Sequence, residues 1–258
     1  MKNKVVLITG GASGIGAAAA RVFSGEGAQV AVADVNDGQG EAVCQEVRLG
    51  GGEAYYISCD MTDDAAVKRC VDELRARFGR LDVLYNNIGG STPADGPVTS
   101  VELDEFWRAM RVDVFSTILA SRHAIPLIAA GGGGAVVNTT SYTAMLGVAG
   151  RDCYTAAKGA IISLTRSMAV EYAPQNIRVN AVSPGAVDTE RLQRFLKNNP
   201  DHPTFDVRNR HRRPDVASHM MGIVKPADVA HAALFLASEE AARITGTILS
   251  VDSGATAW

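Results

Sequence analysis

With 258 residues and 47% hydrophobic content, the chain can bury a sizeable core, and its length suits one large α/β domain spanning residues 1–258. A net charge of −3 and a pI near 6.0 give no global field for nucleic acid or an anionic membrane, so neither is expected as a partner. Cys44, Cys59, Cys70 and Cys153 form no C-x-x-C pair, residues 1–4 lead into a short apolar run with no signal-peptide pattern, and no stretch approaches roughly 18 uninterrupted apolar residues, so a soluble cytoplasmic protein with free thiols is expected.

Val5-Val6-Leu7-Ile8 predicts a first strand, which ends in Thr9-Gly10-Gly11-Ala12-Ser13-Gly14-Ile15-Gly16 before an alanine-rich helix to about Gly25. Gly10, Gly14 and Gly16 permit a tight turn and close approach of a pyrophosphate, whose charge the following helix N-terminus can hold. The spacing is not G-x-G-x-x-G, and a glycine-rich turn alone signifies little; its place between strand and helix is what raises it. A second strand at 29–33 delivers Asp34, 24 residues after Gly10 (34 − 10), close to where an acidic side chain meets a ribose. Asp34 is expected to accept the adenosine hydroxyls. Its charge, with Val35 and Ala12 beside it and no arginine to hold a 2′-phosphate, favours NAD over NADP. Without the preceding loop, an aspartate after a strand would be an ordinary turn residue.

Helix, strand and helix repeat at about 38–49, 54–58 and 63–78, with Asp60 and Met61 at the strand's end. A fourth strand at 81–85 runs into Asn86-Asn87-Ile88-Gly89-Gly90, residues that either meet a cofactor ring or simply turn the chain. Residues 91–97 form a loop, and 103–130 reads as helical, divided near 111–113 and ended by the glycines at 131–134. A fifth strand, 135–139, leads straight to Ser141. The next helix holds Tyr154 and Lys158 and runs to about Tyr172, Pro174 stops it, and 177–182 is the sixth strand. Residues 188–222, polar and proline-broken, read as a lid or an irregular excursion. A helix from Pro226 to about Ser238 and a closing strand at 247–251 follow. This alternation implies a mainly parallel, doubly wound Rossmann-type sheet that takes its ligands at the C-terminal edge.

Ser141, Tyr154 and Lys158 supply a hydroxyl, a phenol and an ammonium. A tyrosine and a lysine four apart emerge on one helix face, one turn above the other. A free phenol titrates near 10, so a base poised close to neutrality needs about 4 kcal/mol of help, which a unit charge at ~4 Å and an effective dielectric of ~20 supplies. Ser141 lies beyond the turn-prone Gly147 and Gly150, so it can approach from another element and hydrogen-bond the substrate oxygen. The chemistry suggested is proton removal from an alcohol. Such pairs arise often by chance on exposed helices, but of the six tyrosines only Tyr154 has a lysine at that offset. His123, His202, His211, His219 and His231 show no ligand spacing, so no catalytic metal is expected and structural or surface roles suit them better. Cys153, beside Tyr154, reads as packing rather than as a redox handle.

Over nearly its whole length the chain resembles the short-chain dehydrogenase/reductase family. The resemblance rests on Thr9-Gly10-x-x-x-Gly14-x-Gly16, Asn86-Asn87-x-Gly89, Ser141 before Tyr154-x-x-x-Lys158, and Pro184-Gly185 followed by Thr189, in family order and spacing. It implies a seven-stranded Rossmann sheet with the adenosine end of NAD held by Asp34, Asp60, Met61 and the glycine loop, including Ser13 and Ile15. Asn87 and Gly89 would line the middle of the cofactor. Pro184 and Gly185 would lead to Val187 and Thr189 at the nicotinamide carboxamide, with Lys158 at the ribose hydroxyls. Tyr154 would exchange the proton as hydride moves between substrate carbon and ring, in a homotetramer that interconverts a secondary alcohol and its ketone.

Asp113 departs from the family, whose members often carry an asparagine there. In that role a backbone carbonyl holds a water in the proton relay behind the lysine; the alternatives are that Asp113 fixes a helix kink or pairs with a nearby base. Two other functions stay open, a non-redox lyase such as a dehalogenase and a non-enzymatic NAD-sensing protein, although the intact glycine loop and complete Ser141, Tyr154, Lys158 set speak against both. Between residues 191 and 213, seven basic side chains face only Asp201 and Asp206. A basic lid could recruit an anionic substrate, against the plainer reading of a solvated or subunit-facing charge run.

Overall fold

Short runs rich in β-branched residues form the strands, and the polar and glycine-containing segments between them set the helix ends. The computed structural model describes residues 1–198 and 219–257. Strands β1 (Val5–Thr9), β2 (Gln29–Asp34), β3 (Glu53–Ser58), β4 (Val83–Asn86), β5 (Gly134–Thr139), β6 (Ile177–Pro184) and β7 (Ile248–Val251) form one sheet in the order β3-β2-β1-β4-β5-β6-β7. Every pairing is parallel. The doubly wound sheet expected from the alternation is therefore present, and the order reverses between β1 and β4, which opens a crevice at the C-terminal edge.

Helices α1 (Gly14–Gly25), α2 (Asp37–Leu49), α3 (Asp64–Phe78), α4 (Leu103–Ala109), α5 (Ser116–Ala130), α6 (Asp152–Tyr172), α7 (Glu190–Asn198) and α8 (Pro226–Ala237) surround it. The two-residue period of a strand divides β1 between two cores. Val5 and Leu7 join Val67 and Leu74 of α3 and Leu119 and Ile128 of α5, whereas Val6 and Ile8 join Phe23 of α1 and Val229 and Leu236 of α8. Asn36 and Asp63 cap α2 and α3 by accepting the N–H groups of Gln39 and Ala66. Gly79, at φ +70°, ends α3 in the left-handed conformation.

Two elements bear on the site. A π-helical turn at Met110–Phe115 separates α4 from α5, where the sequence predicts a division, and it leaves the Asp113 side chain fully buried. Among the described residues, the run Leu103–Ala130 is the one helix long and apolar enough to cross a membrane, but 61% of its most apolar window is buried within this fold. In addition, part of the segment expected to be irregular is regular, since residues 190–198 form α7. The rest of that segment, residues 199–218 with Arg208, Arg210, Arg212 and Arg213, lies outside the described residues. Strand β6 also continues past residue 182 to Pro184, because Ser183 and Pro184 pair with Ser250 and Val251 of β7; a proline at a strand's end withdraws no donor from its middle.

Candidate active site

The C-terminal ends of β4 and β5 and the first turns of α6 deliver the candidate proton-transfer residues Ser141, Tyr154 and Lys158. Asp95, from the loop after β4, accepts the N–H groups of Cys153 and Tyr154 with its two oxygens, at 3.1 and 3.0 Å. A carboxylate there both caps α6 and suits the positive end of its dipole, so the turn bearing Tyr154 is anchored from outside the helix. Asp95 escaped the sequence reading because it sits among prolines and glycine as an ordinary turn residue. Burial and the adjacent Asp95 carboxylate push the Cys153 thiol up, which keeps it neutral and agrees with its place in a small core with Ala157 and Ile161.

Lys158 is buried one turn below Tyr154. Its Nζ donates to the Thr139 carbonyl at 3.0 Å, lies 2.9 Å from Asp113 Oδ1 and stands 5.7 Å from the centroid of the Tyr154 ring. Thr140 Oγ1 donates to the Lys158 carbonyl at 2.8 Å, and a buried chain from Asn86 through Asn138 to Thr165 ties β4 and β5 to the same helix. Burial by itself would pull the ammonium's pKa down. The Asp113 carboxylate, followed by Tyr154, outweighs that effect and holds Lys158 above the ordinary lysine value.

Asp113 thus pairs with a base, one of the alternatives the sequence allowed, and it does so with the catalytic candidate itself. Its Oδ1 also accepts the Gly90 N–H at 3.0 Å, while Oδ2 is buried with no hydrogen-bond partner. The Asp113 carbonyl accepts the Thr117 hydroxyl at 3.1 Å. Gly89 is required here, because at φ +143° a Cβ would overlap Asp113 Oδ1 and stand 2.7 Å from Lys158 Nζ. Ser141, buried at the end of β5, accepts from Thr143 N at 3.3 Å and from Thr143 Oγ1 at 3.0 Å. With both acceptor positions engaged, its own proton is left to donate to a bound oxygen.

The glycine loop fits a dinucleotide. Asp34 Oδ2 accepts the Ala12 N–H at 3.1 Å and Oδ1 the Asn36 N–H at 3.0 Å, which fixes the carboxylate beside the loop. Asn87 Nδ2 donates to the Gly10 carbonyl at 3.1 Å. A Cβ on Gly16 would overlap that same carbonyl and stand 2.8 Å from Asn87 Nδ2, so the cradle has no space for a side chain. Gly16→Ala is accordingly expected to raise the Kd for NADH by about tenfold or more, read by NADH fluorescence; an unchanged Kd would remove the loop from the cofactor's path.

Other residues named from the sequence lie around this cradle with different degrees of involvement. Ser13 precedes α1 without a side-chain cap, and Ile15 packs partly into the core beside β1. Asp60 Oδ1 is occupied by the N–H and hydroxyl of Thr62, both at 2.8 Å. The Met61 side chain is buried in the core, so any part it plays toward a ligand falls to its main chain. Beyond β6, Gly185 donates its N–H to the Val251 carbonyl at 3.0 Å, and Val187 bridges to Val224. Thr189 Cγ2 comes within 3.2 Å of where a Cβ on Gly14 would stand, bringing this segment onto the glycine loop. His219 is buried and takes the Ala186 N–H on Nε2 at 2.8 Å, a structural role in holding the turn after Pro184.

Comparison with known proteins identifies the family. A family model described as enoyl-(acyl carrier protein) reductase matches residues 10–256. Cis-4-hydroxycyclohexanecarboxylate dehydrogenase of Sinomonas cyclohexanicum is 38% identical over 256 residues, covering 99% of this chain and 97% of its own. The 2,5-dichloro-2,5-cyclohexadiene-1,4-diol dehydrogenase of Sphingobium indicum is 38% identical over 261 residues, covering 100% and 98%. Among solved structures, a short-chain dehydrogenase/reductase from Burkholderia xenovorans has a TM-score of 0.92 at 35% identity, covering 100% of this chain and 98% of that one. A 7α-hydroxysteroid dehydrogenase complexed with NADH and 7-oxo glycochenodeoxycholic acid has a TM-score of 0.87 at 31% identity, covering 98% and 94%. Fold, site and relatives together place this chain in the short-chain dehydrogenase/reductase family, as an oxidoreductase.

Proposed function

We propose that the protein is an NAD-dependent dehydrogenase that interconverts a secondary alcohol and its ketone, with Tyr154 as the group that takes and returns the hydroxyl proton. The observation that carries this reading is the buried Lys158 ammonium beside the Tyr154 ring, held by Asp113 and the Thr139 carbonyl at the mouth of the cofactor crevice. Bound NAD supplies the hydride acceptor. The chain's own residues do the rest. Ser141 donates a hydrogen bond to the substrate oxygen, Tyr154 accepts its proton, and Lys158 stabilises the resulting phenolate and reaches the nicotinamide ribose. Asp113 keeps Lys158 ionised. Gly10, Gly14 and Gly16 would admit the pyrophosphate, Asn87 and Gly89 would line the middle of the cofactor, and Val187 and Thr189 would hold the carboxamide.

Three of the relatives named above act, by their names, on ring compounds, so cyclic secondary alcohols form the first panel to test, with NADH formation as the readout. The fixed Asp34 carboxylate supports NAD over NADP, since it would repel a 2′-phosphate, and Val35 beside it is exposed and neutral. Asp34→Ala with Val35→Arg is expected to move the NADP-to-NAD ratio of kcat/KM by about tenfold or more, by removing the repulsion and adding a phosphate partner. A wild-type enzyme already faster with NADP at equal concentration would contradict the assignment. Exposed Trp107 on α4, Phe115 on the turn after it, Ile118 on α5 and Val170 on α6 support a homotetramer, and four buried free cysteines a reducing cytoplasm.

A further inference from the structure

The loop Gly89-Gly90-Ser91 leaves β4 beside the proton-transfer residues and is held by three guanidinium groups. Arg191, from the first turn of α7, donates Nη1 and Nη2 to the Gly89 carbonyl at 3.2 and 3.3 Å. Arg108, on α4, donates to the Gly90 carbonyl at 3.2 Å. Arg151, three residues before Tyr154, donates Nη1 to Ser91 Oγ at 3.1 Å. A Cβ at Gly90 would overlap the Arg191 guanidinium, so the absence of a side chain there is what lets Arg191 settle over the loop.

The three charges are not equivalent. Arg108 is neutralised by Glu105, which it meets with two donors at 2.8 and 2.9 Å. Among the described residues, neither Arg151 nor Arg191 has a carboxylate within ion-pair distance. The acids around the loop are already committed. Glu105 serves Arg108 and Thr92, Asp113 serves Lys158 and the Gly90 N–H, and Asp95 serves the first N–H groups of α6. Lys158 is fully buried, with its ammonium engaged by Asp113 and the Thr139 carbonyl and facing the Tyr154 ring. Arg191 stands near enough to Lys158 to act against its charge. Among the described residues, two guanidiniums without a counter-charge, each with most of its donors unused, therefore flank one short loop beside Lys158 and Asp113.

We propose that Arg151 and Arg191 bind a carboxylate on the substrate, which makes the substrate a hydroxy acid, or its oxo acid, with the anion a few carbons from the reacting carbon. This rests on the oxidoreductase reading for what happens at the alcohol, but not for the binding of the anion. A planar guanidinium matches a carboxylate with two parallel N–H donors, and ranged around a glycine loop the pair fixes both distance and orientation. The same oxyanion chemistry could belong to the cofactor pyrophosphate, and the test separates the two.

Calorimetry on the NADH-loaded protein measures the Kd of cyclohexanecarboxylate and of cyclohexanecarboxamide, an uncharged analogue of the same shape. The carboxylate is expected to bind about tenfold or more tightly in the wild type, and the preference to fall to within about twofold in Arg151→Met/Arg191→Met. NADH fluorescence on the same variants reads the cofactor separately. Equal affinity for the two analogues, no binding of either, or a variant that loses NADH affinity as steeply as carboxylate preference would overturn the proposal. Because neither analogue carries the reacting hydroxyl, the result is independent of turnover, and an enzyme that oxidises neutral alcohols without favouring the carboxylate would keep its dehydrogenase function and lose only this site.

Discussion

Tyr154→Phe is expected to lower kcat by at least about a hundredfold, within the range a positioned acid–base group contributes. The substitution removes one oxygen and little volume from a half-buried residue whose backbone N–H is held by Asp95. Lys158, Asp113 and the glycine loop keep their contacts, so the Kd for NADH is expected to change by less than about threefold. The division of effects is the diagnostic part. Loss of kcat with retained NADH affinity identifies a group needed for the chemical step and not for the ground-state complex. A variant keeping more than about a tenth of wild-type kcat, a barrier deficit under roughly 1.4 kcal/mol, would show that the proton travels by another route.

Asp113→Ala is expected to act on both stability and turnover. It strips a fully buried ammonium of its counter-charge, a loss that costs about 3–5 kcal/mol when one partner of a buried pair is removed. The pH dependence gives its sign. In the wild type Lys158 is held above its ordinary value of 10.5, so its contribution to stability is fully present below that pH and is lost only as pH rises through the higher folded value. Without Asp113, burial prevails and the folded state favours the neutral amine, so stability rises with pH. The Tm deficit of Asp113→Ala relative to wild type should therefore be greatest near about pH 6–7 and shrink as pH approaches about 10. A deficit independent of pH would mean that the carboxylate contributes packing alone. Asp113→Asn keeps an acceptor for Lys158 but no counter-charge, so it is expected to recover part of the stability while leaving a deficit that is still greatest at low pH.

What could be read from the sequence was what neighbouring residues determine. Strand runs such as Val5-Val6-Leu7-Ile8, the glycine loop, Asp34 at a strand's end and the Tyr154–Lys158 spacing each depend on a few consecutive positions, and the parallel, doubly wound sheet followed from the alternation of strands and helices. The parts that escaped join distant positions. Lys158 meets Asp113 across 45 residues (158 − 113), Asp95 caps α6 from 58 residues away and Arg191 reaches Gly89 across 102. Asp113 carried a visible signal, an acid where an amide is usual, but only the π-helical turn shows that it points at the lysine. Helix α7 was hidden because its charged, partly exposed surface resembles the polar loop around it.

The central claim, NAD-dependent oxidation of a secondary alcohol, is tested most directly by following NADH fluorescence while the protein and NAD are offered a panel of cyclic secondary alcohols. NADH formation is expected with at least one alcohol, faster than NADPH formation from NADP at equal concentration and absent from Tyr154→Phe. No NADH from any alcohol, and none consumed with the matching ketones, by a protein that nevertheless binds NADH, would contradict it and leave a nucleotide-sensing protein or a non-redox lyase on this fold.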